Sequence, residues 1–215
     1  MAIETAQELS TEIEQKVKDS SYSFANVLSV LNKALKYIAG QVLLPALETA
    51  NNALSTTAAT AYVALPTDYH RNLYYCYSND RNRIIKVYYS YSDLIKRFSQ
   101  IDLAGPVYGV AVKTLSLYYQ KVPVAAESLM IKYYKMPTAL TLVSSSPSCL
   151  PEHLVRPLLV NYVCRDIFAD KDNEKKTLYH NALFDKAIAD LRLFANEDTT
   201  PTELEGIDFN AFLED

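Results

Sequence analysis

IKYYKMPTALTLVSSSPSCLPEHL, residues 131–154, begins as one kind of structure and ends as another. Ile131, Tyr133 and Met136 belong to a β-branched and aromatic run that closes at Pro137, as a strand does. A serine-rich spacer follows. Pro151-Glu152 then opens an amphipathic helix, since proline suits a first turn and glutamate suits the positive end of the helix dipole. Sheet is expected before this junction and helix after it.

Downstream, Leu154, Val155, Leu158, Leu159, Tyr162, Val163 and Ile167 recur at helical spacing along one face. Pro157 removes one helical hydrogen bond, so this helix is expected to kink or begin there. Residues 170–173, DKDN, end it. Leu178, Ala182, Leu183, Phe184, Ala187, Ile188, Leu191 and Phe194 mark a last helix that stops near Asn196.

Upstream, residues 47–137 favour alternation, β-branched side chains and tyrosine, with turn signals between runs. Residues 62–65 form a short run ending at Pro66. Residues 73–77 and 84–88 flank the polar cluster SNDRN and read as a hairpin. SDLIKRFS, residues 92–99, has a serine cap and suits one or two helical turns, and Gly105-Pro106 marks a corner. Residues 108–113, 115–121 and 129–135 are three further strands. LETANNALSTTAAT, residues 47–60, is too polar and alanine-rich to fit this scheme well.

The chain starts with helices. Leu9, Ile13 and Val17 space a short one over residues 6–18. Phe24, Val27, Leu28, Leu31, Leu35, Ile38 and Val42 space a longer one, with Ser23 to cap it and Gly40 to end it. The predicted fold class is α+β: a helical bundle made by the N- and C-terminal helices, with a large antiparallel β-rich insertion between them. The predicted segments are residues 1–46, 47–137, 148–196 and a tail, 197–215.

A chain of 215 residues buries roughly 70% of its unfolded surface, enough for a real core without staples. Its three cysteines are scattered and form no CxxC, which implies free thiols in a reducing compartment. No apolar run approaches the ~20 residues of a membrane span, and the acidic start lacks a signal layout. No membrane partner is expected.

Chemistry is hard to find. With four glycines there is no phosphate-cradling loop, and no GxSxG or HExxH occurs. His70, His153 and His180 lack metal-ligand spacing. Cys164 beside His180 or His153 would be a thiol–imidazole pair in principle, but it sits on or beside an apolar helix face where a small buried thiol is ordinary. No catalytic residue, metal or cofactor is expected.

Tyrosine is the outlier. Thirteen of 17 lie between Tyr62 and Tyr134, including the doublets at 74–75, 88–89, 118–119 and 133–134. Adjacent side chains on a strand point to opposite faces, so one ring of each doublet leaves the core face. Neighbouring subunits would cover such rings, with Tyr88, Tyr118 and Tyr133 as the candidates. Sugar stacking, as in a carbohydrate-binding or host-recognition module, is the alternative. Simple preference of tyrosine for half-buried strands is the plainest account. Arg71, Arg81, Arg83, Lys86, Lys96 and Arg97 cluster modestly, too thinly for tight phosphate binding.

The tail carries seven acidic and no basic residues, leaving the rest of the chain at +3 against a total of −4. Yet Leu204, Ile207, Phe209, Phe212 and Leu213 lie among those carboxylates. Such a segment anchors its apolar groups in a partner's groove, or folds back on its own body.

In this order, FANVLSVLNKALKYIA (24–39), ALPTDYHRN (64–72), SLYYQKVPVAAESLMIKYYKMPTALT (116–141) and CLPEHLVRPLLVNYVCRDIF (149–168) resemble the head-to-tail adaptor (connector) proteins of short-tailed bacteriophages. The resemblance spans nearly the whole chain except the tail. It implies a structural virion protein of the neck, assembled in the host cytoplasm. Its copies would form a homo-oligomeric ring of about twelve built from heterologous contacts. The ring would dock on the portal protein, present a platform to tail or nozzle proteins, and pass DNA through its lumen without sequence-specific binding. Acidic tails facing the lumen would keep DNA from adhering.

Overall fold

A computed structural model describes residues 4–18, 22–98 and 101–198. The chain divides into two compact units, one running from Leu47 to Pro137 and the other formed by the sequence before and after it. The fold is mixed α+β, with five α-helices and a seven-stranded sheet among the described residues.

The helical unit holds α1 (Ala6–Val17), α2 (Phe24–Gln41), α4 (Glu152–Asp170) and α5 (Glu174–Asp198). Helix α1 starts with a capping box: the Glu8 amide donates to the Thr5 hydroxyl, and the Thr5 amide donates to the Glu8 carboxylate at 2.7 Å. Two more of its unsatisfied first-turn amides, on Ala6 and Gln7, donate to the carbonyls of Ser145 and Val143. The serine-rich spacer thus satisfies the entry to α1.

Helix α4 is buried along more than one face, with Leu158 through Cys164 continuously inside. Its neighbours α1, α2 and α5 explain this: a helix contacted on several sides must be apolar on several sides. Pro157 neither ends nor starts it. The proline stands in the second turn, where the lost amide costs one bond to His153, and its own carbonyl accepts from the Asn161 side chain at 2.7 Å. Gly40 does not stop α2 either; the helix continues to Gln41, and Val42, already extended, donates its amide to Ile38 before Pro45.

The return segment is fastened to α2 by Asn32. Its Oδ1 accepts the Leu140 amide at 2.7 Å and its Nδ2 donates to the Leu140 carbonyl at 2.9 Å. One side-chain amide therefore satisfies both backbone groups of a buried residue, as a neighbouring strand would.

The β unit contains β1 (Glu48–Ser55), β2 (Tyr62–Ala64), β3 (Tyr69–Ser78), β4 (Arg83–Tyr88), α3 (Tyr91–Arg97), β5 (Gly109–Lys113), β6 (Ser116–Tyr119) and β7 (Ser128–Lys135). The strand order is β1-β7-β3-β4-β5-β6-β2. The expected antiparallel insertion needs one correction: it is not wholly antiparallel. Strands β4 and β5 pair in parallel, because α3 carries the chain across between them and a parallel pair needs such a crossover. The polar stretch that fitted no strand is β1, a sheet edge that buries only Leu54 and bulges between Asn51 and Leu54. An edge has little core to face, so its sequence carries little hydrophobic signal.

One sheet face holds the core, including Cys76, Ile85, Val110, Leu117, Leu129 and Ile131. Gln120 fixes the corner at Gly105-Pro106 from inside: its Oε1 accepts the Tyr108 and Gly109 amides, and its Nε2 donates to the Pro106 carbonyl. Gly109 is needed for close approach. A Cβ there would lie 2.9 Å from the Tyr88 ring and 3.3 Å from Phe98.

Candidate interaction surfaces

Strand register dictates which tyrosines share the second face of the sheet. Tyr62 lies opposite Tyr118, Tyr118 opposite Ala111, and Ala111 opposite Tyr88. Residues paired in this way point to the same side. Ala111 is small, which leaves room for α3 to bring Tyr91 over the row. The Tyr62 and Tyr118 rings lie 5.1 Å apart and the Tyr91 and Tyr118 rings 4.8 Å apart.

Cations lie over these rings. Lys113 sits 4.5 Å above Tyr91, Lys86 5.3 Å above Tyr88, and Lys132 5.5 Å above Tyr75. At one end, Arg81 and Arg83 both approach Tyr108, and Arg81 also bridges to Glu127 at 2.6 Å. Aromatic rings with ammonium groups resting on them form a face suited to acidic, partly apolar partners.

The three tyrosines singled out from the sequence differ in their surroundings. Tyr133 is 1% exposed, and its hydroxyl donates to Asp68 at 2.6 Å. Burial first, and Asp68 second, hold that hydroxyl well above its ordinary pKa. Its own chain covers it, so its ring has nothing left for another subunit. Tyr88 and Tyr118 are half-buried, against Phe98 and between Tyr62 and Tyr91. Tyr134, the partner of Tyr133 in its doublet, faces the other side and is covered by Tyr74.

In the β unit, the tyrosine rings that reach solvent are others: Tyr89, fully exposed, Tyr62 at 48%, Tyr74 and Tyr108. The doublet argument could have pointed to Tyr89, had the end of β4 at Tyr88 been known. Tyr62 and Tyr74 depended on the register between strands, which the sequence does not state. The apolar anchors of the tail, Leu204, Ile207, Phe209 and Phe212, lie outside the described residues.

Beside this face the sheet forks. Strand β3 pairs with β4 only over Cys76–Ser78 and Arg83–Ile85; beyond that, β4 follows β5 while β3 stays with β7. Asn72, with φ of 52°, stands in the irregular stretch where β3 shifts register. The space between the diverging strands is a cavity of about 540 Å³. Leu73, Val87 and Val112 line it, with Tyr74 and Tyr89 among the rings around it.

The helical unit has no activated nucleophile among its described residues. Burial pushes the Cys164 thiol up to about 11, and the Cys76 thiol of the β unit up to about 12. His180 Nδ1 lies 2.9 Å from the Asn161 side-chain oxygen, and its ring stacks on Phe168. Burial, helped by Lys16 and Lys176, holds His180 below its ordinary pKa, so it stays neutral. His153 is exposed at the start of α4, edge-on to Phe194. Among the described residues no group of three or more His, Cys, Asp or Glu could hold a metal, and no helix is long and apolar enough to cross a membrane.

Compared with known protein families, residues 4–204 match the SU10 adaptor protein family. A search of curated proteins finds no match.

Proposed function

The chain belongs to the SU10 adaptor protein family, a phage structural protein acting as a head-to-tail adaptor, and from that premise we propose how it works. Copies assemble side by side into a closed ring, of about twelve subunits, in the virion neck. One side of the ring meets the portal protein, the other receives tail components, and DNA passes through the centre. The four helices from the two ends of the chain form one bundle that gives each subunit its rigid body, and residues 47–137 supply the contacts between subunits.

The observation that carries this reading is the family match over nearly the full chain. The exposed aromatic and cationic face of the sheet supports it, because Tyr62 and Tyr89 are large, stiff and costly to leave in water. Tyr88 and Tyr118 contribute by propping the exposed rings. Tail residues Leu204, Ile207, Phe209 and Phe212 anchor the chain to a partner.

Light scattering and negative-stain imaging of the purified chain, alone and mixed with its portal, test the proposal. Rings in either sample are expected. A monomer that ignores the portal and binds glycans through Tyr62 and Tyr89 would favour a host-recognition module instead.

A further inference from the structure

We propose that the fork between β3 and β4 is a receptor for the C-terminal segment, residues 197–215, of a neighbouring copy. This deepens the ring reading and rests on it for the presence of that neighbour. Three independent features converge on this occupant.

The first is shape. Over residues 86–88 strand β4 pairs with β5 on one side, and its other side faces the opening rather than β3. An extended chain entering the opening meets a strand edge with which it can form main-chain hydrogen bonds, and pockets for alternate side chains. The floor is apolar, formed by Leu73, Val87 and Val112, while Tyr74 and Tyr89 stand exposed nearby.

The second is the pattern of the segment itself. In GIDFNAFLED, Ile207, Phe209 and Ala211 alternate with Asp208 and Asn210. Extended, the segment would turn the first three toward the floor and Asp208 outward. Phenylalanine at Phe209 matches a cavity large enough for an aromatic ring, and leaves the carboxylates at the rim.

The third is charge. Residues 47–137 contain ten basic and six acidic residues, a formal +4. Outside the tail, the remaining residues come to −1, so only the β unit attracts a segment bearing seven carboxylates. Lys86 lies over the ring of Tyr88, which borders the cavity. Of the carboxylates on this unit, Glu48 accepts the Tyr74 hydroxyl and Asp68 the Tyr133 hydroxyl, so both are already engaged.

The test uses a fluorescent peptide of residues 197–215 and the chain ending at Asn196. Anisotropy should show saturable binding that weakens about tenfold as salt rises from about 0.05 to about 0.5 M. Phe209→Ala in the peptide should weaken it about tenfold, as expected for losing a buried ring. Lys86→Glu in the chain should weaken it about fivefold, and Tyr89→Ala about threefold. Both positions are exposed, so neither change threatens folding. A scrambled peptide of the same composition that binds equally well would reduce the interaction to bulk charge and overturn the proposal, as would indifference to all three substitutions.

Mixing Tyr89→Cys chains with Phe212→Cys chains should give a disulfide between chains. Crosslinking confined to a doubly substituted chain would place the tail on its own body and overturn the exchange. The particle mass of the full chain separates this inference from the ring: a monomer that captures the peptide sinks the ring alone, whereas a ring whose β unit ignores the peptide sinks the receptor alone.

Discussion

The two units group their aromatic residues differently. In the helical unit, Tyr162 and Phe184 pack ring to ring between α4 and α5, with Tyr37 of α2 closing the cluster. Some of its cations are tied to carboxylates, Arg156 to Glu4 and Glu12 and Lys33 to Asp166, while Arg165, Lys171 and Lys176 lie over the rings of Tyr162, Tyr22 and Phe168. In the β unit, tyrosines occupy both sheet faces, and the cations of the outer face rest on rings. A surface of exposed rings under ammonium groups gains when something covers it. The difference is one of grouping: the β unit gathers rings and cations along the outer face of a sheet.

The largest expected effect deepens this contrast from inside. Leu159→Ala, at a fully buried position of α4, should cost about 2–5 kcal/mol in urea unfolding, through lost burial and the cavity left behind. Next comes the clamp on the return segment. Asn32→Leu leaves the Leu140 amide and carbonyl without their side-chain partner and should cost about 1–3 kcal/mol by the same measurement.

A pH titration distinguishes the units by another route. His180 is neutral in the folded protein, with its pKa below the ordinary 6.5. Unfolded chains take up a proton near pH 6.5 that the folded chain refuses. Stability from this residue is therefore complete above that pH and declines as pH falls toward the lower folded value. Melting temperature should drop between pH 7 and about pH 5. His180→Gln should flatten that slope, while substitutions in the β unit should leave it in place.

Two smaller effects belong to the β unit. Thr114 and Leu115 join β5 to β6 with φ of 46° and 57°, the left-handed region a tight hairpin turn demands. Leu115→Gly should stabilise by about 0.5–1 kcal/mol, since the exposed leucine contributes strain and little packing. Smallest of all, Tyr62→Ala and Tyr89→Ala should change monomer stability by no more than about 0.5 kcal/mol. The same pair should abolish or weaken assembly. If they unfold the chain instead, the outer face belongs to the fold and the contrast fails.

Much of the architecture was legible in the residues. Leu9, Ile13 and Val17, or Phe24 through Val42, state their helices by period alone, and the polar cluster at residues 78–82 marks the turn between β3 and β4. Three things were not. β1 is an edge strand, so alternation is nearly absent from it. The parallel pairing of β4 with β5 depends on the path of α3, which no local pattern states. Tyr133 and Tyr134 both proved buried, because Tyr74 from the neighbouring strand covers the face that alternation leaves open. Asn32 was visible as a residue of the α2 pattern, but its bonds reach more than a hundred residues along the chain, beyond any local reading.

Hydroxyl-radical footprinting of the tyrosines, on the dispersed chain and on the assembled particle, tests the central claim most directly. The account predicts that Tyr62 and Tyr89 react in the dispersed chain and become protected in the particle, while Tyr119 and Tyr133 stay unreactive in both. Equal reactivity of Tyr62 and Tyr89 in the two samples would contradict it.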